Sequence, residues 1–405
     1  MNPRIGLLKP YPFERLRGLL AGIAPPPGLA HVNLSIGEPQ HPTPAFLKEA
    51  VSANLGGLAR YPLTKGLPEL RAAIAAWLAR RHGLAGIDAE TQVLPTLGSR
   101  EALFAIAQTV LDPGEHDALV VCPNPFYQIY EGAALLGGAR PFFVNATAAT
   151  GFATDWGAVP EHVWKRTRLL YACSPSNPNG RVTTLAEWER LFSAADRHGF
   201  TIVSDECYSE IYFDESAPPL GALAAARRLG RTDFARLVVM GSLSKRSNAP
   251  GLRSGFAAGD AAILKDFLHY RTYHGSAMSN AVQLASIAAW NDEAHVAENR
   301  RLYREKFAVF FDHVNPVLPL ARPEAAFYYW VAVPGDDEAF ARDLFAAAHV
   351  TVLPGSYLSR EAHGANPGRA HVRIALVSTV AEAAEAGRRI AEFVRARASA
   401  AAPLR

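Results

Sequence analysis

The sequence predicts an α/β protein: a mostly parallel, seven-stranded sheet covered on both faces by helices, followed by a smaller α+β domain. Three observations carry this expectation. From about residue 92 short apolar runs alternate with longer amphipathic ones, which is the pattern of strands joined by crossover helices. The strand candidates are apolar almost without interruption, as strands buried on both faces must be. After about residue 290 the alternation stops and a long charged helix takes over.

The elements follow in order. An N-terminal arm, residues 1–45, carries Pro10, Pro12, Pro25, Pro26 and Pro27. It is too short for a core of its own and is expected to join the small domain or a partner subunit. Residues 46–290 form the large domain, with strands expected at Gln92 to Thr96, Ala118 to Cys122, Pro141 to Val144, Leu169 to Cys173, Thr201 to Ser204, Leu237 to Met240 and Gly255 to Ala258. Glu101 to Leu111 and Leu185 to Arg197 have apolar residues at helical spacing. Residues 291–405 form the small domain: a helix from Glu293 to His313, strands at Phe327 to Val333 and His371 to Leu376, and a last helix opened by Thr379 and Glu382 at capping-box spacing. The alanine-rich tail after Ala396 is expected to fray.

Composition excludes several classes of function. Hydrophobic residues make up 49% of the 405 and charged residues 20%, enough apolar side chain for a large buried sheet. A net charge of +3 without basic runs offers nothing to a nucleic-acid backbone. Cys122, Cys173 and Cys207 are too sparse for a disulfide framework and suit a reducing cytoplasm. Prolines and charges interrupt the N-terminus, and no window offers about 18 continuous apolar residues, so neither export nor membrane insertion is expected. No metal-ligand spacing stands out. No Gly-x-Gly-x-x-Gly follows an early strand, which disfavours a nicotinamide-binding sheet.

Ligands of such sheets lie at the carboxyl ends of the strands, and four of those ends carry polar groups. Gly98-Ser99-Arg100 opens a helix, leaving unpaired amides at the positive end of its dipole for an anion. Asn177 sits between two prolines in a rigid turn closed by Asn179-Gly180. Asp205 follows a buried strand, with Tyr208 three residues on. Lys245 follows another strand, among Ser242, Ser244 and Arg253. A desolvated lysine there becomes a neutral amine able to form an imine, while hydroxyls and a guanidinium suit phosphate oxygens. Singly each has a plainer reading: a capping serine, a surface turn, a helix cap, a surface lysine. Together, in one order along one sheet, they outweigh those separate readings.

These residues resemble the class I/II aminotransferases, pyridoxal 5′-phosphate (PLP) enzymes of fold type I. The resemblance covers nearly the whole chain, from Gly37-Glu38-Pro39 through Tyr61-Pro62, Ser174-x-x-Asn177-Pro178-x-Gly180 and the block from Ser242 to Gly255 to Arg373. It implies that Lys245 holds PLP and shuttles the substrate proton, that Asp205 pairs with the pyridine nitrogen, and that Asn177 and Tyr208 reach the phenolic oxygen. Tyr127 would stack on the ring. Ser99, Arg100, Ser242, Ser244 and Arg253 would hold the phosphate, with Tyr61 supplied across the interface of a homodimer. Arg373 would clamp the substrate α-carboxylate, with Asn177 beside it and Gly37 allowing close backbone approach.

Within the family, the segments Leu34 to Pro44, Ser244 to Arg253, Tyr270 to Gly275 and Val352 to Ser356 are similar to the bacterial succinyldiaminopimelate aminotransferases. That likeness implies transfer from N-succinyl-LL-2,6-diaminopimelate to 2-oxoglutarate. Other aminotransferases of the class, acting on aspartate, alanine, aromatic or acetylornithine-like donors, and PLP-dependent carbon-sulfur lyases are the competing readings. Both expected substrates carry a second, distal carboxylate, which calls for a further cation. Arg271 is the expected ligand, with His274, Lys65 and Arg246 as candidates by position.

Overall fold

A computed structural model of the chain describes residues 1–401. All seven expected strands are present in one sheet: β1 Val93–Thr96, β2 Leu119–Asn124, β3 Arg140–Asn145, β4 Thr167–Cys173, β5 Thr201–Asp205, β6 Leu237–Ser242 and β7 Gly255–Gly259. Their spatial order is β1-β7-β6-β5-β4-β2-β3. Only β7 runs against the others, being antiparallel to both β1 and β6. The fold is the mostly parallel, helix-covered sheet that the apolar runs predict.

Helices shield both faces. On one face Leu185–His198 buries Trp188, Leu191, Phe192 and Ala195, a stripe at helical spacing. Its start is a capping box: the Thr184 amide donates to Glu187 Oε2 at 2.7 Å and the Glu187 amide to Thr184 Oγ1 at 3.3 Å. Gly199 ends it at φ 81°, in the left-handed region that glycine enters freely. On the other face Ser99–Val110 buries Ala102, Leu103, Ala105, Ile106 and Ala107. This helix starts two residues before the expected Glu101, because Gly98 and not a side chain forms its cap.

The remaining chain builds a second sheet beside the strand ends. Leu353–Pro354, His371–Ala375 and Tyr328–Ala332 form an antiparallel trio with His371–Ala375 in the middle. Val32–Asn33 pairs in parallel with Val350–Thr351. The helix Pro12–Leu20 sends Leu16 into a small cluster with Trp330, Leu353, Tyr357 and Leu358. Helices Ala294–Val314 and Val380–Ala401 pack on each other and share one apolar cluster with the second sheet, and the Thr379–Glu382 box opens the latter. The tail predicted to fray after Ala396 is helical to Ala401; residues 402–405 lie outside the described residues. Among the described residues no helix is long and apolar enough to cross a membrane.

Candidate active site

Strand direction gathers the site. β1, β2, β4, β5 and β6 all end on one edge of the sheet, placing Gly98, Tyr127, Asn177, Asp205 and Lys245 in successive loops of that edge. β7 runs the other way, so it starts there: Gly255 lies opposite both Thr96 and Ser242. Arg253, just before β7, therefore reaches the turn after β1. The resulting cleft of about 510 Å³ is lined by Gly37, Ser99, Arg100, Tyr127, Asn177, Asp205, Tyr208, Ser244, Lys245, Arg253 and Arg373.

Lys245 lies on the short helix Leu243–Arg246 and donates from Nζ to the Gly37 carbonyl at 2.5 Å. Burial pushes its pKa down from the usual lysine range to about 8, with nearby Arg373 and Arg100 adding to the shift. Asp205 is 2% exposed. Burial raises its pKa, opposed by donors at both oxygens: Tyr130 OH at 2.8 Å to Oδ2 and the Cys207 amide at 3.3 Å to Oδ1. A low-dielectric carboxylate held this way suits a cationic partner.

The turn after β1 is an anion cradle. Gly98 has φ 78°, and a Cβ there would lie 2.5 Å from Arg253 Nη2. That guanidinium donates to the carbonyls of Leu97 (3.0 Å) and Pro250 (2.8 Å), which fixes it beside the open amides of the helix. Ser244 joins this rim. Ser242 lies one layer below: its Oγ accepts from the Ser244 amide at 3.1 Å and donates to the Ser254 carbonyl at 3.1 Å. The structure thus places Ser242 as a support for Ser244 and outside the cleft lining.

Arg373 projects from the middle strand of the second sheet. It donates to Asn177 Oδ1 at 2.9 Å and to the Ser35 carbonyl at 2.6 Å, and sits 4.5 Å over the Tyr328 ring. Its Nε is buried without a protein partner. Opposite, Gly37 approaches so closely that a Cβ would fall 2.1 Å from Tyr328 OH. Tyr208 OH meets Tyr328 OH at 2.8 Å.

The cations expected for a distal carboxylate are elsewhere. Arg271 is 1% exposed; its Nη1 contacts both oxygens of Glu101, at 2.6 and 2.7 Å, and its Nη2 donates to the Ser276 carbonyl. Glu101 also accepts from the Leu97 amide at 3.3 Å, so Arg271 braces the anion cradle and does not reach the cleft. The reason is a partner 170 residues away that the local sequence does not reveal. Lys65 pairs with Glu90, Arg246 with Glu293 and two backbone carbonyls, and His274 faces Ser276 and Glu101. Tyr61 is fully exposed, away from the cleft of its own chain.

A family model described as aminotransferase class I and II matches residues 30–390. The chain belongs to this family. Its enzymes depend on PLP, and so does this aminotransferase. It is 33% identical over 360 residues to an LL-diaminopimelate aminotransferase of Desulforudis audaxviator, covering 87% of this chain and 89% of the relative. An aminotransferase structure from Neisseria meningitidis shares 54% identity and a TM-score of 0.94, covering 98% of this chain and 100% of that one. A probable N-succinyldiaminopimelate aminotransferase structure from Thermus thermophilus shares 27% identity and a TM-score of 0.82, covering 94% and 100%.

The residues present fit the cofactor. An amine of lowered basicity, a buried carboxylate and a cradle whose floor tolerates no Cβ correspond to an aldehyde, a pyridine nitrogen and a phosphate. Sequence reasoning missed three contributors. Tyr130, three residues after Tyr127, reaches Asp205, yet its surroundings read as apolar helix. Tyr328 reads as one more aromatic in an apolar strand. Tyr11, on the arm, meets Arg100 Nη2 at 3.5 Å, a contact that no local pattern signals.

Proposed function

We propose that this aminotransferase moves the amino group of N-succinyl-LL-2,6-diaminopimelate to 2-oxoglutarate, giving N-succinyl-2-amino-6-oxopimelate and glutamate in lysine biosynthesis. One observation carries the chemistry: a partly buried amine with a pKa near 8 opens onto a cleft that also holds a buried carboxylate, an anion cradle and a partly unpaired guanidinium. The diaminopimelate frame is supported by the names of the relatives, and the succinylated form by the segments shared with its aminotransferases and by the Thermus neighbour.

In this reading Lys245 would hold PLP covalently, Asp205 would pair with the pyridine nitrogen, and Asn177 and Tyr208 would serve the phenolic oxygen. Tyr127 would stack on the ring. Ser99, the Arg100 amide, Ser244 and Arg253 would hold the phosphate, with Ser242 keeping Ser244 in place. When bound, PLP supplies an aldehyde that takes the amino group and a ring that draws off the electron pair of the Cα–H bond. Arg373 clamps the substrate α-carboxylate, presenting its free Nε–H beside the donors already engaged by Asn177 and Ser35. The released Lys245 Nζ then takes the Cα proton, a task matched by an amine with a pKa near 8.

The site is completed by a second copy of the chain. Leu55, Leu58, Tyr61 and Leu63 are 51%, 67%, 100% and 68% exposed within nine residues, an apolar strip suited to a self-complementary interface. Tyr61 then reaches the partner's phosphate.

A second reading takes unsuccinylated LL-diaminopimelate as donor, favoured by the name of the Desulforudis relative. Single-turnover spectra with each donor separate the two. The proposal expects N-succinyl-LL-2,6-diaminopimelate to convert the cofactor to its amine form at least about tenfold faster per molar than LL-diaminopimelate; the reverse order overturns it.

A further inference from the structure

We propose that the side chain of Arg100 is the ligand of the distal carboxylate of dicarboxylic substrates, so that one chain supplies both anion clamps of its own cleft. This rests on the reading of the protein as an aminotransferase that uses glutamate and 2-oxoglutarate.

The cleft contains four cationic side chains: Arg100, Lys245, Arg253 and Arg373. Three are committed. Lys245 serves the aldehyde, Arg253 is fixed by two carbonyls beside the cradle, and Arg373 is tied to Asn177 and Ser35. Arg100 differs from all of them. Its backbone belongs to the cradle, but its guanidinium extends away from the cradle to the arm side of the cleft. There Nε donates to Tyr127 OH at 2.6 Å, and Nη2 reaches Tyr11 OH at 3.5 Å. The guanidinium carbon lies 5.9 Å from the Tyr127 ring centre.

Among the described residues no carboxylate forms an ion pair with Arg100. Two neutral phenols hold it in place without neutralising it, leaving Nη1 and part of Nη2 for an incoming anion. A guanidinium oriented by neutral acceptors and lacking a counter-ion is prepared for a carboxylate. The four cations proposed from sequence position face other partners, so none of them competes for this role. Tyr11 stands directly before the helix Pro12–Leu20, which is anchored on the second sheet through Leu16. The arm thereby sets the distance between the two clamps.

The test uses the PLP-loaded enzyme and two donors of equal chain length, glutamate and norvaline, which differ by the distal carboxylate. In Arg100→Gln, whose backbone amide is intact, the ratio of their single-turnover rate constants per molar should fall on the order of 100-fold. Arg100→Lys, which keeps the charge and loses the fork, should fall between. The ratio is independent of how much cofactor each variant loads, since both donors meet the same loaded fraction. Calorimetric binding of glutarate against valerate, which involves no reaction, should show the same loss of selectivity. A ratio within threefold of the parent enzyme overturns the role of Arg100 while leaving the aminotransferase reading intact. A parent enzyme that does not react with glutamate overturns the dicarboxylate reading and this inference with it.

Discussion

Lys245, partly buried, and Lys306, fully buried, form no ion pair with a carboxylate among the described residues, and desolvation lowers both pKa values, to about 8 and about 7. Their surroundings are opposite. Lys306 is fully buried in the helix Ala294–Val314, donates to the Val377 carbonyl at 3.1 Å and lies 4.7 Å from the Tyr303 ring centre. Glu382 acts on it from the final helix, and it in turn lowers the pKa of His41. It faces no cleft. Lys245 opens onto a cleft with Asp205, Arg373 and an anion cradle. A depressed pKa alone therefore marks desolvation; access and convergent partners mark a reactive amine.

The comparison is broken most directly by chemistry. Lys245→Ala should reduce transamination by at least about 10⁴-fold. Borohydride reduction followed by peptide mass mapping should place the cofactor on Lys245 and never on Lys306. A label on Lys306 would reverse the assignment.

The cradle sharpens the contrast next. Gly98→Ala forces a side chain into the left-handed region and against Arg253. The strain is on the order of 1–2 kcal/mol, which should weaken PLP binding about tenfold in an absorbance titration. An unchanged dissociation constant would show that the phosphate sits elsewhere.

The smallest effect is on stability and carries a pH signature. Because the folded-state pKa of Lys306 lies below its unfolded value, the cost of burying its charge is complete below about pH 7 and fades as pH rises towards 10.5. Urea unfolding of the parent should therefore gain stability with pH over that window. Lys306→Met should flatten the rise, by about 2–4 kcal/mol between its ends. Parallel curves for the two proteins would mean that Lys306 is not desolvated as the structure has it.

The sequence by itself determined the sheet and most of the reactive edge. Strand identity depends on local apolar runs, and Asn177, Asp205, Lys245 and Arg253 each occur in a short stretch whose turn chemistry is visible without the fold. Arg373 needed the family resemblance, and its approach to Asn177 spans 196 residues. Tertiary structure decided which cation is free. Arg271 is taken by Glu101, whereas the Arg100 side chain is oriented by two phenols, one from the arm, and meets no carboxylate among the described residues. A guanidinium is shaped to be taken by whichever carboxylate folding brings near, and that partner lies at a sequence distance no local pattern encodes.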